Sequence, residues 1–161
     1  CADSPWNSRM HMVQQDIRDY AATCEGRYNL IISNPPFFQD HYKASGHLRN
    51  TARHADQLPY ADLVRCIQGL LKADGLCYVL LPFHAADAFI GLAASAALNL
   101  LQRTDIRGYA RNNPKVCALV FGKESAPSLT RLHTIYLGER QYSTASAYYL
   151  RPFLLRFANA G

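Results

Sequence analysis

No two glycines of this chain are separated by a single residue, so it contains no glycine-rich Gly-x-Gly turn. It also lacks any run of about 18 apolar residues, which removes a helical membrane span. The nearest approach, Ala85 to Leu101, is interrupted by Asp87, Ser95 and Asn99 and reads as an amphipathic helix. Cysteine is sparse and odd in number: Cys1, Cys24, Cys66, Cys77 and Cys117. Five scattered thiols fit a reducing cytoplasm better than a disulfide frame. None has zinc-ligand spacing, so no metal is expected, and Cys66 and Cys77 read as small core residues among apolar neighbours. No internal repeat or low-complexity segment is visible.

What is there is globular: 161 residues, 49% hydrophobic and 18% charged, make one folded domain and not a disordered tail. Seventeen Lys and Arg against twelve Asp and Glu leave a formal charge of +5, compatible with an RNA partner. Strand-like and helix-like segments alternate, which places the chain in the α/β class. Met10 to Ile17 reads as a short strand ending in Asp16, and Tyr60 to Leu71 as a helix with Asp74-Gly75 as its exit. Leu76 to Leu81 reads as a buried strand closed by Pro82, and His84 to Leu98 as a helix. Asn99 to Tyr109 and Val116 to Gly122 are strand candidates around the basic turn Arg111 to Lys115, with a further strand over Leu132 to Leu137. A terminal helix over Ala145 to Phe157 would put Tyr149, Phe153 and Phe157 on one face, where core packing is expected.

The densest signal is Tyr28 to Phe37. Leu30, Ile31 and Ile32 read as a parallel strand covered on both faces, which Pro35 and Pro36 cannot continue because proline donates no ladder hydrogen bond. The residue before a proline is held extended, so Asn34 is placed past the carboxyl edge of the strand, where open α/β sheets bind ligands. Read alone, Asn-Pro is also a common turn initiator. The polar stretch from Gln39 to Leu58, with His41, Lys43, His47, Arg49, Arg53 and His54, reads either as a substrate loop beside this centre or as a solvated connector.

Asn34-Pro35-Pro36-Phe37 resembles the Asn/Asp-Pro-Pro-aromatic tetrapeptide of S-adenosylmethionine-dependent methyltransferases that modify exocyclic or amide nitrogens. The flanking Ser4-Pro5-Trp6, Gln15-Asp16-Ile17, Ala52-Arg53-His54, Leu58 to Leu63 and Tyr142-Ser143 extend the likeness over nearly the whole chain. Together they are similar to the bacterial tRNA adenine-N6 methyltransferases that act on valine tRNA beside its anticodon. The resemblance implies the C-terminal part of a Rossmann-like class I methyltransferase sheet, lacking its first two strands. Its expected divisions are 1–27 with the third strand and a helix, 28–124 with the catalytic strand, substrate loop and remaining sheet, and 125–161 with a last strand and helix.

It further implies that Asn34 and Pro35 accept hydrogen bonds from the target amine, that Phe37 stacks on the base, and that Pro36 completes the catalytic turn. Asp16 and Ile17 would contact the adenine of S-adenosylmethionine, with Asn34 beside it; the residue-level alternative for Asp16 is a helix cap. Lys43, Arg49, Arg53, Arg111 and Lys115 are the candidates for RNA phosphates. Other readings are a ribosomal-RNA or protein-glutamine methyltransferase, or a non-catalytic RNA-binding module.

The missing Gly-x-Gly turn now acquires meaning, because this class wraps the cofactor's methionine part with one. The chain by itself is therefore expected to bind S-adenosylmethionine weakly or not at all. The family sheet runs three, two, one, four, five, seven, six, so the strand at Leu30 to Ser33 is expected at an edge, open to self-association.

Overall fold

The computed structural model describes residues 4–36, 58–139 and 141–154. Its strands are β1 (Tyr28–Ser33), β2 (Leu71–Pro82), β3 (Asn99–Tyr109), β4 (Val116–Gly122), β5 (Leu129–Gly138) and β6 (Gln141–Tyr142). Its α-helices are α1 (Ile17–Thr23), α2 (Tyr60–Leu70), α3 (Ala86–Ser95) and α4 (Thr144–Leu150). The strands form one sheet in the order β1-β2-β4-β3-β5-β6. β1 and β2 are parallel, as a pair joined through a crossover helix must be, whereas β4 runs antiparallel to both β2 and β3. The stretch β1-β2-β4-β3 reproduces the four, five, seven, six order expected from the resemblance, and β5 extends it in parallel with β3.

Alternation along the strands decides where the core lies. Cys77, Val79 and Leu81 on β2 meet Cys117, Leu119 and Phe121 on β4, and all six are at most 1% exposed. Val64 and Ile67 of α2 and Phe89 and Ala93 of α3 close over that face. The Phe89 ring lies 5.4 Å from Tyr60, edge to face, and 5.7 Å from Phe121. Burial pushes the Cys77 and Cys117 thiols up to about 12, so both are inert core residues. Cys66 is buried on α2 as expected.

The opposite face corrects the expectation that β1 is covered on both sides. Leu30 and Ile32 are 52% and 74% exposed, and their β2 partners Leu76 and Tyr78 are also open, because no described element packs there. β1 lies at the edge of the described sheet, as expected.

Four element boundaries also differ from the sequence reading. Met10 to Gln15 forms no strand, since no described strand stands beside it to pair with. The helix before β2 ends at Leu70, and Asp74-Gly75 lies inside β2, not at a helix exit. There Tyr28 pairs with Leu71 and Leu30 with Leu76, so Lys72 to Gly75 stand out of register. α3 starts at Ala86 after a 3-10 turn over Phe83–Ala85 and stops at Ser95, short of Leu98. Ala97 takes a left-handed φ of 56° while Leu98 N–H bonds Ala93 O at 2.9 Å, a Schellman-type ending that drives Leu98 into the core.

α4 ends at Leu150 because Pro152 cannot donate back along the helix, and the chain turns there. Tyr148, Tyr149 and Phe153 are 76%, 63% and 80% exposed, so the expected packing of this aromatic face is overturned. The start of α4 is held by Ser143, whose hydroxyl accepts from Ser146 N–H, and by His133 Nε2, 2.8 Å from the buried Ser146 hydroxyl.

Candidate active site

The strand directions gather the candidate residues at one margin of the sheet. β1, β2, β3 and β5 all point the same way, so Asn34-Pro35-Pro36, Phe83 and the turn from Ala110 to Lys115 share the carboxyl edge. Two backbone bonds of 3.0 Å tie this edge together: Phe83 N–H donates to Lys115 O, and Lys115 N–H to Ile106 O.

Pro35 is buried while Asn34 and Pro36 are exposed. The buried ring anchors the turn, and Asn34 keeps its side-chain amide open, with no hydrogen bond among the described residues. A primary amide offers one acceptor oxygen and two donor hydrogens, which suits it to a planar amine. Phe37, Lys43, Arg49 and Arg53, with the three loop histidines, lie outside the described residues.

Asp16 is the N-cap of α1, as its residue-level alternative foresaw: Oδ1 accepts from Arg18 N–H at 2.8 Å. Arg18 also clamps the carboxylate through Nε at 3.0 Å and Nη2 at 2.6 Å. These bonds hold the carboxyl down at about 2. They use three of its roughly four lone-pair sites, leaving one acceptor position. Ile17 is the first residue of α1, where a backbone N–H has no partner within the helix. An open concavity of about 260 Å³ beside them is lined by His11, Val13, Gln15, Ile17 and Tyr20. Arg18 Nη1 reaches Asp62 of α2 at 3.8 Å, and the Tyr20 and Tyr28 hydroxyls meet, so α1 is braced at both ends.

Arg111 and Lys115 are both exposed at the carboxyl edge. The Arg111 guanidinium lies 4.9 Å from the centre of the Tyr109 ring. The role of Arg18 in fixing Asp16 was missed from sequence; Asp-x-Arg at a helix start is the signal that could have revealed it. Among the described residues no helix is long and apolar enough to cross a membrane, and no His, Cys, Asp or Glu group could hold a metal ion.

No family model matches the chain. Curated relatives do. It is 33% identical over 154 residues to the tRNA1(Val) (adenine(37)-N6)-methyltransferase of Erwinia tasmaniensis, covering 96% of this chain and 63% of the relative. It is 42% identical over 96 residues to the protein of that name from Bacteroides fragilis, covering 59% of this chain and 40% of the relative. The chain thus spans about half to two-thirds of the length of these relatives. In fold it is similar to a crystal structure titled a predicted O-methyltransferase from Agrobacterium tumefaciens, with a TM-score of 0.56, 14% identity, and 83% of this chain and 55% of that one covered. By sequence the chain is a relative of the tRNA1(Val) (adenine(37)-N6)-methyltransferases, and it carries a Rossmann-like class I methyltransferase sheet.

Proposed function

We propose that this chain supplies the substrate-facing part of an S-adenosylmethionine-dependent methyltransferase acting on the exocyclic N6 of an adenine in tRNA, next to the anticodon. The observation that carries the reading is Asn34, whose open amide follows a parallel strand at the ligand-binding edge in a chain related to enzymes of that name. An adenine amine is a weak nucleophile because its lone pair is delocalised into the ring. Asn34 Oδ1 and the Pro35 carbonyl accept its two hydrogens and favour pyramidal geometry, so no strong base is needed. Phe37 stacks on the base once it is splayed from its loop, and Pro36 fixes the turn. Lys43, Arg49, Arg53, Arg111 and Lys115 hold phosphates.

The cofactor fits the described residues in part. Asp16 keeps an acceptor for an adenine amino group, Ile17 has a free helix-start N–H, and the concavity adjoins them. When bound, S-adenosylmethionine supplies the electrophilic methyl. The methionine end lacks its Gly-x-Gly cradle in this chain, so calorimetry with the 161-residue chain should show no micromolar binding; micromolar binding would refute this. The reading places the protein in the cytoplasm. The open β1 edge at Leu30 to Ser33 supports self-association.

The test is Asn34→Ala in the full-length protein, followed by mass spectrometry of valine tRNA. Losing one preorganised polar group should cost about 3 kcal/mol, on the order of a hundredfold in rate. Undiminished methylation would remove Asn34 from the chemistry.

A further inference from the structure

Three tyrosines stand in a row across the far half of the sheet. Tyr109 ends β3, Tyr136 is its direct partner on β5, and Tyr142 is the partner of Tyr136 on β6. Residues directly opposite in a ladder project to the same face, which stacks the rings. Their centroids are 5.4 Å and 4.9 Å apart, with planes inclined by 34° and 37°. Arg111 adds its guanidinium 4.9 Å from the Tyr109 ring, so the column runs Tyr142, Tyr136, Tyr109, Arg111.

Its setting is not that of a core. The three rings are half-buried, and Arg111 is exposed. The column ends at the same carboxyl edge as Asn34, three strand spacings away, or about 14 Å sideways. Arg107, two residues before Tyr109 on the same face, donates through Nε to Thr134 Oγ1 at 2.9 Å. Lys115 is exposed in the same turn as Arg111, and Glu139 follows β5 as the acidic group at this margin. The Arg103–Asp105 pair on β3 further back is internally neutral.

We propose that the Tyr142–Tyr136–Tyr109–Arg111 column is a stacking site for unpaired RNA bases that flank the nucleotide presented to Asn34. This rests on the tRNA reading above and adds where the neighbouring nucleotides lie. A base has a π-face whatever its identity, so it can extend a column of rings, and a planar guanidinium carries stacking and charge together. Paired bases already stack on each other and have no face to offer. The surface therefore selects single-stranded loop segments over duplex.

The test uses the 161-residue chain, a labelled anticodon arm of valine tRNA, and a fully paired RNA hairpin of equal charge. Arg111→Lys keeps the charge and removes the plane; Tyr142→Leu keeps an apolar side chain and removes a ring. Each should weaken binding of the arm about tenfold and leave the paired hairpin unaffected, with an unchanged melting temperature. Wild-type affinity for the arm in Arg111→Lys overturns the column, and because that residue is exposed the result stands even if Tyr142→Leu fails to fold. Arm binding by the wild type with no effect of Arg111→Lys defeats the column alone. A wild-type chain that binds no RNA defeats the tRNA reading and the column together.

Discussion

Replacing Gly75 with alanine should destabilise the protein, while the same replacement at Gly69 should stabilise it. The two sites are six residues apart, yet their surroundings differ completely. A Cβ at Gly75 would stand 2.8 Å from Tyr28 O and 2.8 Å from Leu71 Cδ1; at Gly69 nothing lies within 4 Å. Neither neighbour of Gly75 can swing away. Tyr28 O is backbone at the start of the catalytic strand, and Leu71 is 1% exposed in the core.

The contact must open to about 3.4 Å, which moves β1 against β2. Overpacking of this kind costs roughly 1–3 kcal/mol, offset by about 0.4–1 kcal/mol from the stiffer unfolded chain, for a net loss of about 1–2 kcal/mol. Gly69 lies in α2, where alanine gains roughly 0.5–1 kcal/mol. For a chain of this size each kcal/mol is about 2–4 °C. Thermal unfolding should therefore show Gly75→Ala melting about 2–8 °C below wild type and Gly69→Ala about 1–4 °C above it. Hydrogen exchange in Gly75→Ala should lose protection first at Ile31 and Ile32. A Gly75→Ala protein at least as stable as wild type would refute the close approach.

Ala97→Gly should raise stability by about 1 kcal/mol, because glycine removes the left-handed penalty at φ 56°; equal or lower stability in urea would count against that ending of α3. Asp16 titrates at about 2, below its ordinary 3.8, so its capping contribution is present above the ordinary value and disappears as pH falls through about 2. The Arg18 amide resonance should follow that midpoint, and a midpoint near 3.8 would dissolve the clamp. Ile32→Lys places a charge on the open β1 edge, so any dimer in sedimentation of the wild type should be lost in the variant; a dimer that persists would exonerate this edge.

The sequence by itself determined the class, the strand leading to Asn34-Pro35-Pro36, the β3–β4 hairpin and the relatives. These rest on local causes: apolar runs, proline's missing donor, and residues of the right type at fixed spacing. It misjudged whatever depended on a neighbour. The run Leu30 to Ile32 is apolar enough for two covered faces, but which face is covered depends on where α2 and α3 settle. Tyr149 and Phe153 have helical spacing, but Pro152 ends α4 between them. Met10 to Gln15 could be extended, yet a strand exists only where a partner completes its ladder. Only tertiary structure decided that Arg18 clamps Asp16, that Gly75 meets Tyr28 O, and that Tyr109, Tyr136 and Tyr142 form one column. Residues 109 and 136 become neighbours through strand register, a long-range choice made by the sheet as a whole and written in no local segment.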